Sequence, residues 1–205
     1  MNKDKKIYYL GGVNAVGKSA FERELALVHP DRFQVVHGAG KLMEYLGLQP
    51  GDYAGLRGIA RGRKAEAFSD LVFDLANNRD ERSTILSTHF AIMNQGNIEW
   101  NTKEPWLSNV DALVLFRASM EVLFSRIAAD DRDRNLFTPG LSENEQKAQL
   151  RMFAWREVQR ARSLARQHNL PLLVFDNTGP IERLVDNFIR EHSRLVSETK
   201  NNMYS

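Results

Sequence analysis

Five short apolar segments recur along the chain and predict the strands of a sheet. They lie at residues 7–13, 33–36, 84–87, 112–116 and 172–175. Each contains β-branched or aromatic residues and is followed by polar or turn-forming residues, which is the pattern of a short buried strand. The chain therefore predicts a five-stranded sheet.

The stretches between these segments show the spacing of amphipathic helices. In residues 18–28, Phe21, Leu25 and Val28 fall on one helix face, as a period of 3.6 residues requires. The other predicted helices lie at residues 41–46, 53–76, 120–129 and 144–168, with a last one beginning at 181–189. Residues 96–108 hold two tryptophans without a clear period and are predicted as a loop.

The alternation of strands with helices predicts a three-layer α/β fold. Strands joined by helical crossovers are parallel, and the helices cover both faces of the sheet. Ligands of such folds bind at the carboxyl ends of the strands. We predict a single domain over residues 1–195 and a flexible polar tail over residues 196–205.

The composition is that of an ordinary globular domain. Of the 205 residues, 42% are hydrophobic and 26% are charged, which excludes a disordered, collagen-like or coiled-coil chain. The chain has no cysteine, so disulfides, thiolate nucleophiles and cysteine-built zinc or iron–sulfur sites are excluded. A chain without cysteine fits a reducing cytosol.

Charge and hydropathy predict no nucleic-acid or membrane partner. The 28 lysines and arginines nearly balance the 26 acidic residues, with a net charge of +2, so there is no basic bias toward nucleic acid. The first apolar stretch, at residues 7–10, is shorter than the roughly 7–15 residues of a signal peptide or the roughly 20 of a membrane-spanning helix. We expect a cytoplasmic protein, either monomeric or homo-oligomeric.

Residues 12–19 match the phosphate-binding pattern G-x-x-x-x-G-K-[ST] at every fixed position. Its glycines let backbone N–H groups turn toward an anion, and the helix that follows adds its positive end. Lys18 is predicted to reach the β- and γ-phosphates and Ser19 to bind magnesium. The pattern therefore predicts ATP and Mg²⁺ as cofactors. The predicted ATP-binding residues are Gly12, Asn14, Ala15, Val16, Gly17, Lys18, Ser19 and Ala20.

The remaining motifs favour a kinase within this phosphate-binding class. No N-K-x-D motif of the GTPases is present, and no apolar strand ends in Asp-Glu as in hydrolytic ATPases; the nearest carboxylate of that kind is Asp176. The third strand ends in Ser87, where a kinase acting on an alcohol would need a carboxylate to accept the hydroxyl proton. A phosphate acceptor is already ionised and needs positive charge rather than a base, so the sequence favours a phosphate acceptor.

Two groups of basic residues could supply that charge. Arg57, Arg61 and Lys64 are spaced to share one face of the predicted helix 53–76, inside the stretch 38–77 between the second and third strands. The second group comprises Arg126, Arg132, Arg134 and Arg156. Arginine binds phosphate oxygens bidentately and stays charged, which predicts an acceptor site for the first group and catalytic contacts for the second. The alternative for each group is a solvated helix face.

On these residues the chain resembles the nucleoside monophosphate kinases, and among them the archaeal-type adenylate kinases. The resemblance covers roughly residues 5–190. It rests on the phosphate-binding pattern at 12–19, Gly38 after strand two, Arg57, the pair Thr88-His89, the segment 126–136, Arg156, and the pair Asn177-Thr178. It implies a kinase that transfers the γ-phosphoryl group of ATP to a nucleoside monophosphate, with adenylate as the default acceptor.

The resemblance also implies roles for individual residues. Gly38, Arg57, Arg61 and His89 would bind the acceptor, Asn177 and Thr178 would lie beside the donor adenine, and residues 130–141 would form a lid. The chain departs from the family at Ser87, where the family has an aspartate near the magnesium water shell, a function that Asp176 could assume. Two alternatives stay open: an ATPase that acts as a nucleotide-dependent regulator, and a small-molecule kinase with another acceptor.

Overall fold

The computed structural model describes residues 5–78, 81–99, 104–130 and 136–201. Five strands form the main sheet: Ile7–Gly11 (β1), Phe33–His37 (β2), Ser83–Ser87 (β3), Ala112–Arg117 (β6) and Leu172–Asp176 (β7). Their order in the sheet is β2-β3-β1-β6-β7, and every neighbouring pair is parallel. The predicted five-stranded parallel sheet is therefore confirmed.

Helices cover both faces of the sheet, as predicted. Successive side chains of a strand point to opposite faces, so Tyr8 and Leu10 of β1 join one apolar cluster and Ile7 and Tyr9 join the other. The helices are α1 (Lys18–Val28), α2 (Gly38–Tyr45), α3 (Tyr53–Gly58), α4 (Arg61–Asn77), α5 (Met120–Ala128), α6 (Glu143–Gln167) and α7 (Ile181–Asn201). Helices α1 and α7 pack on the first face, whereas α4 and the carboxyl half of α6 pack on the second.

The single helix predicted over residues 53–76 is wrong, because the structure divides it into α3 and α4. Ile59 and Ala60 between them have extended backbones, with ψ of 135° and 138°. Glycine is a poor helix former, and Gly58 and Gly62 flank this break. Arg57 and Arg61 consequently lie on different helices, so the helical spacing that predicted a shared face does not apply to them.

Part of the region predicted as a loop is regular structure. Strands β4 (Ile92–Asn94) and β5 (Asn97–Glu99) form an antiparallel hairpin. Its two turn residues, Gln95 and Gly96, have φ of 46° and 77°, and positive φ at both positions matches the twist of a two-residue hairpin. A 3₁₀ helix follows at Pro105–Asn109, and its Trp106 is buried.

The carboxyl-terminal helix α7 extends to Asn201, so the domain boundary predicted at residue 196 falls inside it. Leu195 is buried, and Lys6 Nζ donates to Thr199 Oγ1 at 3.0 Å. In the part of the chain that the structure describes, none of the helices combines the length and apolarity that crossing a bilayer needs.

Candidate active site

The phosphate-binding loop joins the carboxyl end of β1 to the start of α1. Its backbone is left-handed at Gly12, Ala15 and Gly17, with φ of 140°, 62° and 97°. A Cβ at Gly12 would lie 2.7 Å from the Phe116 carbonyl oxygen, so glycine is required there for space as well as for conformation. The loop is thus a backbone cradle in front of a helix amino terminus, which fits the phosphates of ATP.

Lys18 folds back across this cradle. Its Nζ donates to the Gly12 carbonyl oxygen at 2.5 Å, lies 3.4 Å from the Val13 carbonyl oxygen, and lies 3.5 Å from His89 Nδ1. The structure therefore brings together three residues that the sequence predicted for the site: Gly12, Lys18 and His89. Lys18 must release the loop carbonyls before it can contact a phosphate.

Arg126 and Asn177 hold the far side of the loop. Arg126 Nη1 lies 3.3 Å from the carbonyl oxygens of both Ala15 and Val16. Asn177 is buried, and its Nδ2 donates to the Val16 carbonyl oxygen at 2.7 Å. A Cβ at Gly17 would lie 2.1 Å from that Nδ2 atom. Both predicted residues thus lie at the phosphate cradle, and the Asn177 amide supports the loop itself.

The structure adds Glu157 of α6, which the sequence analysis missed. Its side chain is 1% exposed, and its carboxylate accepts the backbone N–H groups of Gly12 at 2.8 Å, Phe90 at 2.9 Å and Ala91 at 2.5 Å. Burial raises the pKa of Glu157 to about 7, against the opposing effects of Lys18 and the three N–H donors. Phe153 and Ala161, four residues away on either side, are buried, and that spacing could have revealed a carboxylate on the buried face.

The predicted acceptor side of the cradle corresponds to the carboxyl ends of β2 and β3. His37 ends β2 and is paired in register with Ser87 at the end of β3. His37 Nδ1 lies 3.3 Å from a carboxylate oxygen of Glu22 in α1. Glu22 is 3% exposed, and among the described residues its carboxylate oxygens have no hydrogen-bond partner. A Cβ at Gly38 would lie 3.0 Å from the Ser87 carbonyl oxygen, so the backbone at the start of α2 packs tightly against the end of β3.

Other predicted residues lie away from the cradle. Arg57 and Arg61 are exposed, and within the described residues no hydrogen bond or ion pair ties either one to the phosphate loop. Arg156 is exposed on α6, with its guanidinium 5.1 Å from the centroid of the Trp155 ring. Arg132 and Arg134 lie outside the described residues.

The possible magnesium ligands are few. Ser19 is exposed in the first turn of α1, next to the cradle. Asp176 pairs with Arg117 instead, through Nε at 3.1 Å and Nη2 at 2.8 Å. No cluster of three or more His, Asp or Glu side chains suitable for a metal occurs in the described ranges. Among the described residues, Ser19 therefore fits as a ligand of a magnesium ion that arrives with ATP.

The remaining predicted site residues lie in or beside the phosphate loop, or in the predicted lid. Asn14 and Ala20 are half-buried, in the loop and in the first turn of α1, and Thr178 is exposed beside Asn177. Residues 131–135 of the predicted lid lie outside the described residues, whereas Leu136 is buried and its carbonyl oxygen accepts the Gly96 N–H at 2.8 Å. Thr138 Oγ1 donates to the Gln95 carbonyl oxygen at 3.2 Å. The second half of the predicted lid thus rests on the β4–β5 hairpin.

Comparison with known proteins identifies the fold. No family model and no curated protein matches this chain. Among solved structures it is similar to shikimate kinase from Acinetobacter baumannii in complex with shikimate, with a TM-score of 0.58 and 16% identity over 91% of this chain and 92% of that one. A sugar kinase from Janibacter matches with a TM-score of 0.52 and 13% identity, covering 91% and 93% of the two chains.

A gluconokinase from Sinorhizobium meliloti matches with a TM-score of 0.50 and 14% identity, covering 100% of this chain and 98% of that one. At such identities the likeness establishes the fold, which is that of the P-loop kinases. It supports the predicted resemblance at that level, and the narrower assignment to the nucleoside monophosphate kinases stays a prediction.

Proposed function

We propose that this protein is an ATP-dependent phosphotransferase that acts on a small molecule. The observation that carries the proposal is the complete phosphate cradle, with Lys18 folded over it and Arg126 and Asn177 behind it. The P-loop kinase fold supports it. Bound Mg²⁺, with Ser19 among its ligands, would neutralise charge on the phosphates.

The residues of the cradle have distinct tasks in such a transfer. Backbone N–H groups of the loop and the amino terminus of α1 would bind the phosphates. Lys18 would exchange the Gly12 carbonyl oxygen for a phosphate oxygen and stabilise the charge that develops during transfer. Arg126, which already contacts the loop carbonyls at 3.3 Å, is close enough to add a second positive charge.

The acceptor we favour is a nucleoside monophosphate. Strands β2 and β3 end in His37 and Ser87, so neither places a carboxylate at the acceptor edge of the sheet. A phosphate oxygen needs no base, because it is already ionised. Arg57 and Arg61 lie between these two strands in the chain, and a monophosphate would pair with their exposed guanidinium groups.

A coupled assay with ATP and each of the common nucleoside monophosphates tests this function. Phosphoryl transfer faster than ATP hydrolysis without an acceptor supports it, and Lys18→Ala should lower turnover at least about 100-fold. Lys147→Ala, at an exposed lysine paired with Glu143, is the matched control and should keep full activity. Hydrolysis of ATP that no monophosphate accelerates would contradict the assignment and leave an ATPase.

A second candidate is a kinase that acts on an alcohol, and the pair His37–Glu22 is the observation that favours it. His37 Nδ1 lies 3.3 Å from the Glu22 carboxylate, and a hydrogen bond formed between them when the acceptor binds would leave the other ring nitrogen as a proton acceptor. In this reaction His37 takes the hydroxyl proton, the hydroxyl oxygen bonds to the γ-phosphorus, and the bond to the β-phosphate oxygen breaks to release ADP.

The two candidates differ in their dependence on His37. If an alcohol such as shikimate or gluconate is the acceptor, His37→Asn should lower turnover at least about 100-fold. If a monophosphate is the acceptor, the same variant should change turnover little. His29→Asn, at the histidine that follows α1, is the control for loss of a ring near the same helix.

A further inference from the structure

One buried carboxylate, that of Glu157, joins three separate segments of the site. It belongs to α6, yet its oxygens accept the N–H of Gly12 at the start of the phosphate loop and the N–H groups of Phe90 and Ala91 after β3. Phe90 and Ala91 lead into the β4–β5 hairpin. No other interaction described above ties the loop, the hairpin and α6 together at one point.

A contribution to stability does not by itself explain why a carboxylate is buried at position 157. Taking a carboxylate out of water costs several kcal/mol, and well-packed apolar residues of similar size often stabilise a protein as well or better. Glu157 is 1% exposed on a helix face whose neighbours Phe153 and Ala161 are apolar. Its geometry, in contrast, is specific, because the three N–H donors occupy both carboxylate oxygens.

The contact with Gly12 determines how the phosphate loop begins. Gly12 is held at its N–H by Glu157 and at its carbonyl oxygen by Lys18 Nζ. Its φ of 140° lies in a region that glycine enters without steric cost, so this residue could adopt many other backbone conformations. The Glu157 contact selects one of them, and it can remain when Lys18 leaves the Gly12 carbonyl oxygen for a phosphate, so the orientation of the following N–H groups depends on Glu157.

We infer that Glu157 is a positioning residue: it holds the phosphate loop in its ATP-binding shape and couples that loop to the hairpin and to α6. The coupling reaches toward the predicted lid, because the hairpin contacts Leu136 and Thr138, and Gln149 of α6 donates to Thr138 Oγ1 at 2.9 Å. The inference rests on the proposed function only in that ATP is the ligand.

The test replaces Glu157 by glutamine and uses Glu104→Gln as the matched control. In Glu157→Gln, the amide oxygen can serve two of the N–H groups, while the amide nitrogen faces the third, a donor against a donor. Glu104 is also a buried carboxylate bound to α6, through Arg160 Nη2 at 2.5 Å and 2.6 Å. It belongs to the segment before the 3₁₀ helix, and it takes part in none of the three hydrogen bonds of Glu157.

The measurements are the free energy of unfolding and the dissociation constant for a non-hydrolysable ATP analogue, obtained by calorimetry. Both variants should lose stability, but only Glu157→Gln should weaken analogue binding, by about tenfold or more, which corresponds to one buried hydrogen bond. Equal analogue affinities in Glu157→Gln and Glu104→Gln would overturn the inference. Failure of the unmodified protein to bind the analogue would instead refute the proposed function.

Hydrogen exchange of the unmodified protein keeps the inference testable even if Glu157→Gln does not fold. The amides of Gly12, Phe90 and Ala91 share one acceptor side chain, so analogue binding should slow the exchange of all three together. If exchange slows at Gly12 while Phe90 and Ala91 exchange as before, Glu157 does not couple the two segments.

Discussion

The side-chain amide of Asn177 makes one buried hydrogen bond to the phosphate loop, and a single substitution can test it. Its Nδ2 donates to the Val16 carbonyl oxygen at 2.7 Å, and the residue is 4% exposed. The isosteric substitution Asn177→Asp keeps the volume of the side chain but replaces the donor by an oxygen. Two oxygens would then face each other across 2.7 Å with no hydrogen between them, at the middle of the phosphate loop.

The structure sets the magnitude of the effect. Leaving the Val16 carbonyl and the new carboxylate buried without a shared hydrogen costs about 1–3 kcal/mol. A protonated carboxyl group restores the donor, so folding raises the pKa of the introduced aspartate above its unfolded value. The variant therefore regains stability as the pH falls through that raised pKa and is most destabilised at neutral pH.

The assay is urea unfolding of both proteins between pH 4 and pH 8, together with the dissociation constant for an ATP analogue at each pH. The expected result is a loss of about 1–3 kcal/mol at pH 7, weaker analogue binding, and partial recovery of both at pH 4. Asn187→Asp, at an amide on α7 outside the site, should stay within about 0.5 kcal/mol. An Asn177→Asp protein with unchanged stability and affinity at pH 7 would refute the support of the loop by this amide.

Three further predictions concern the loop and the core. Gly12→Ala should abolish ATP binding and lower the free energy of unfolding by about 1–3 kcal/mol, because its Cβ would lie 2.7 Å from the Phe116 carbonyl oxygen. The control is Gly51→Ala, at a residue with a φ of 87° but open space around it, which should retain binding in the same ATP-analogue titration. Burial lowers the pKa of His192 to about 4, so between about pH 6.5 and pH 4 this histidine is protonated in the unfolded state but not in the folded state. The free energy of unfolding should therefore fall by up to about 3 kcal/mol as the pH drops through this range. Urea unfolding should show a flatter pH dependence in His192→Gln, and an unchanged slope would contradict this. Phe188→Ala should cost about 3–5 kcal/mol in the same assay, since that ring is fully buried among four other rings; a loss below about 1 kcal/mol would contradict it.

The parts of the fold that depend on local pattern could be predicted from the chain. The five strands are short apolar runs, and the phosphate loop is a contiguous motif whose glycines are required by backbone conformation. The single helix predicted over 53–76 was wrong because its apolar spacing continues across a break that lies beside Gly58 and Gly62. The hairpin at 92–99 was missed because its strands are only three residues long, too short to show a period of two.

The sequence by itself determined the parallel α/β fold and the position of the phosphate cradle, because the strand and helix patterns and the motif at residues 12–19 are local in the chain. Only the tertiary structure decided which distant side chains support that cradle. Glu157 lies 145 residues from the glycine N–H that it accepts, and Asn177 lies 161 residues from the Val16 carbonyl oxygen that it contacts. The pairing of His37 with Glu22 likewise depends on how β2 lies beside α1. From sequence alone, a charged residue in a helix is expected to face solvent. Only the packing shows that the Glu157 carboxylate points inward, to backbone N–H groups that need a hydrogen-bond acceptor.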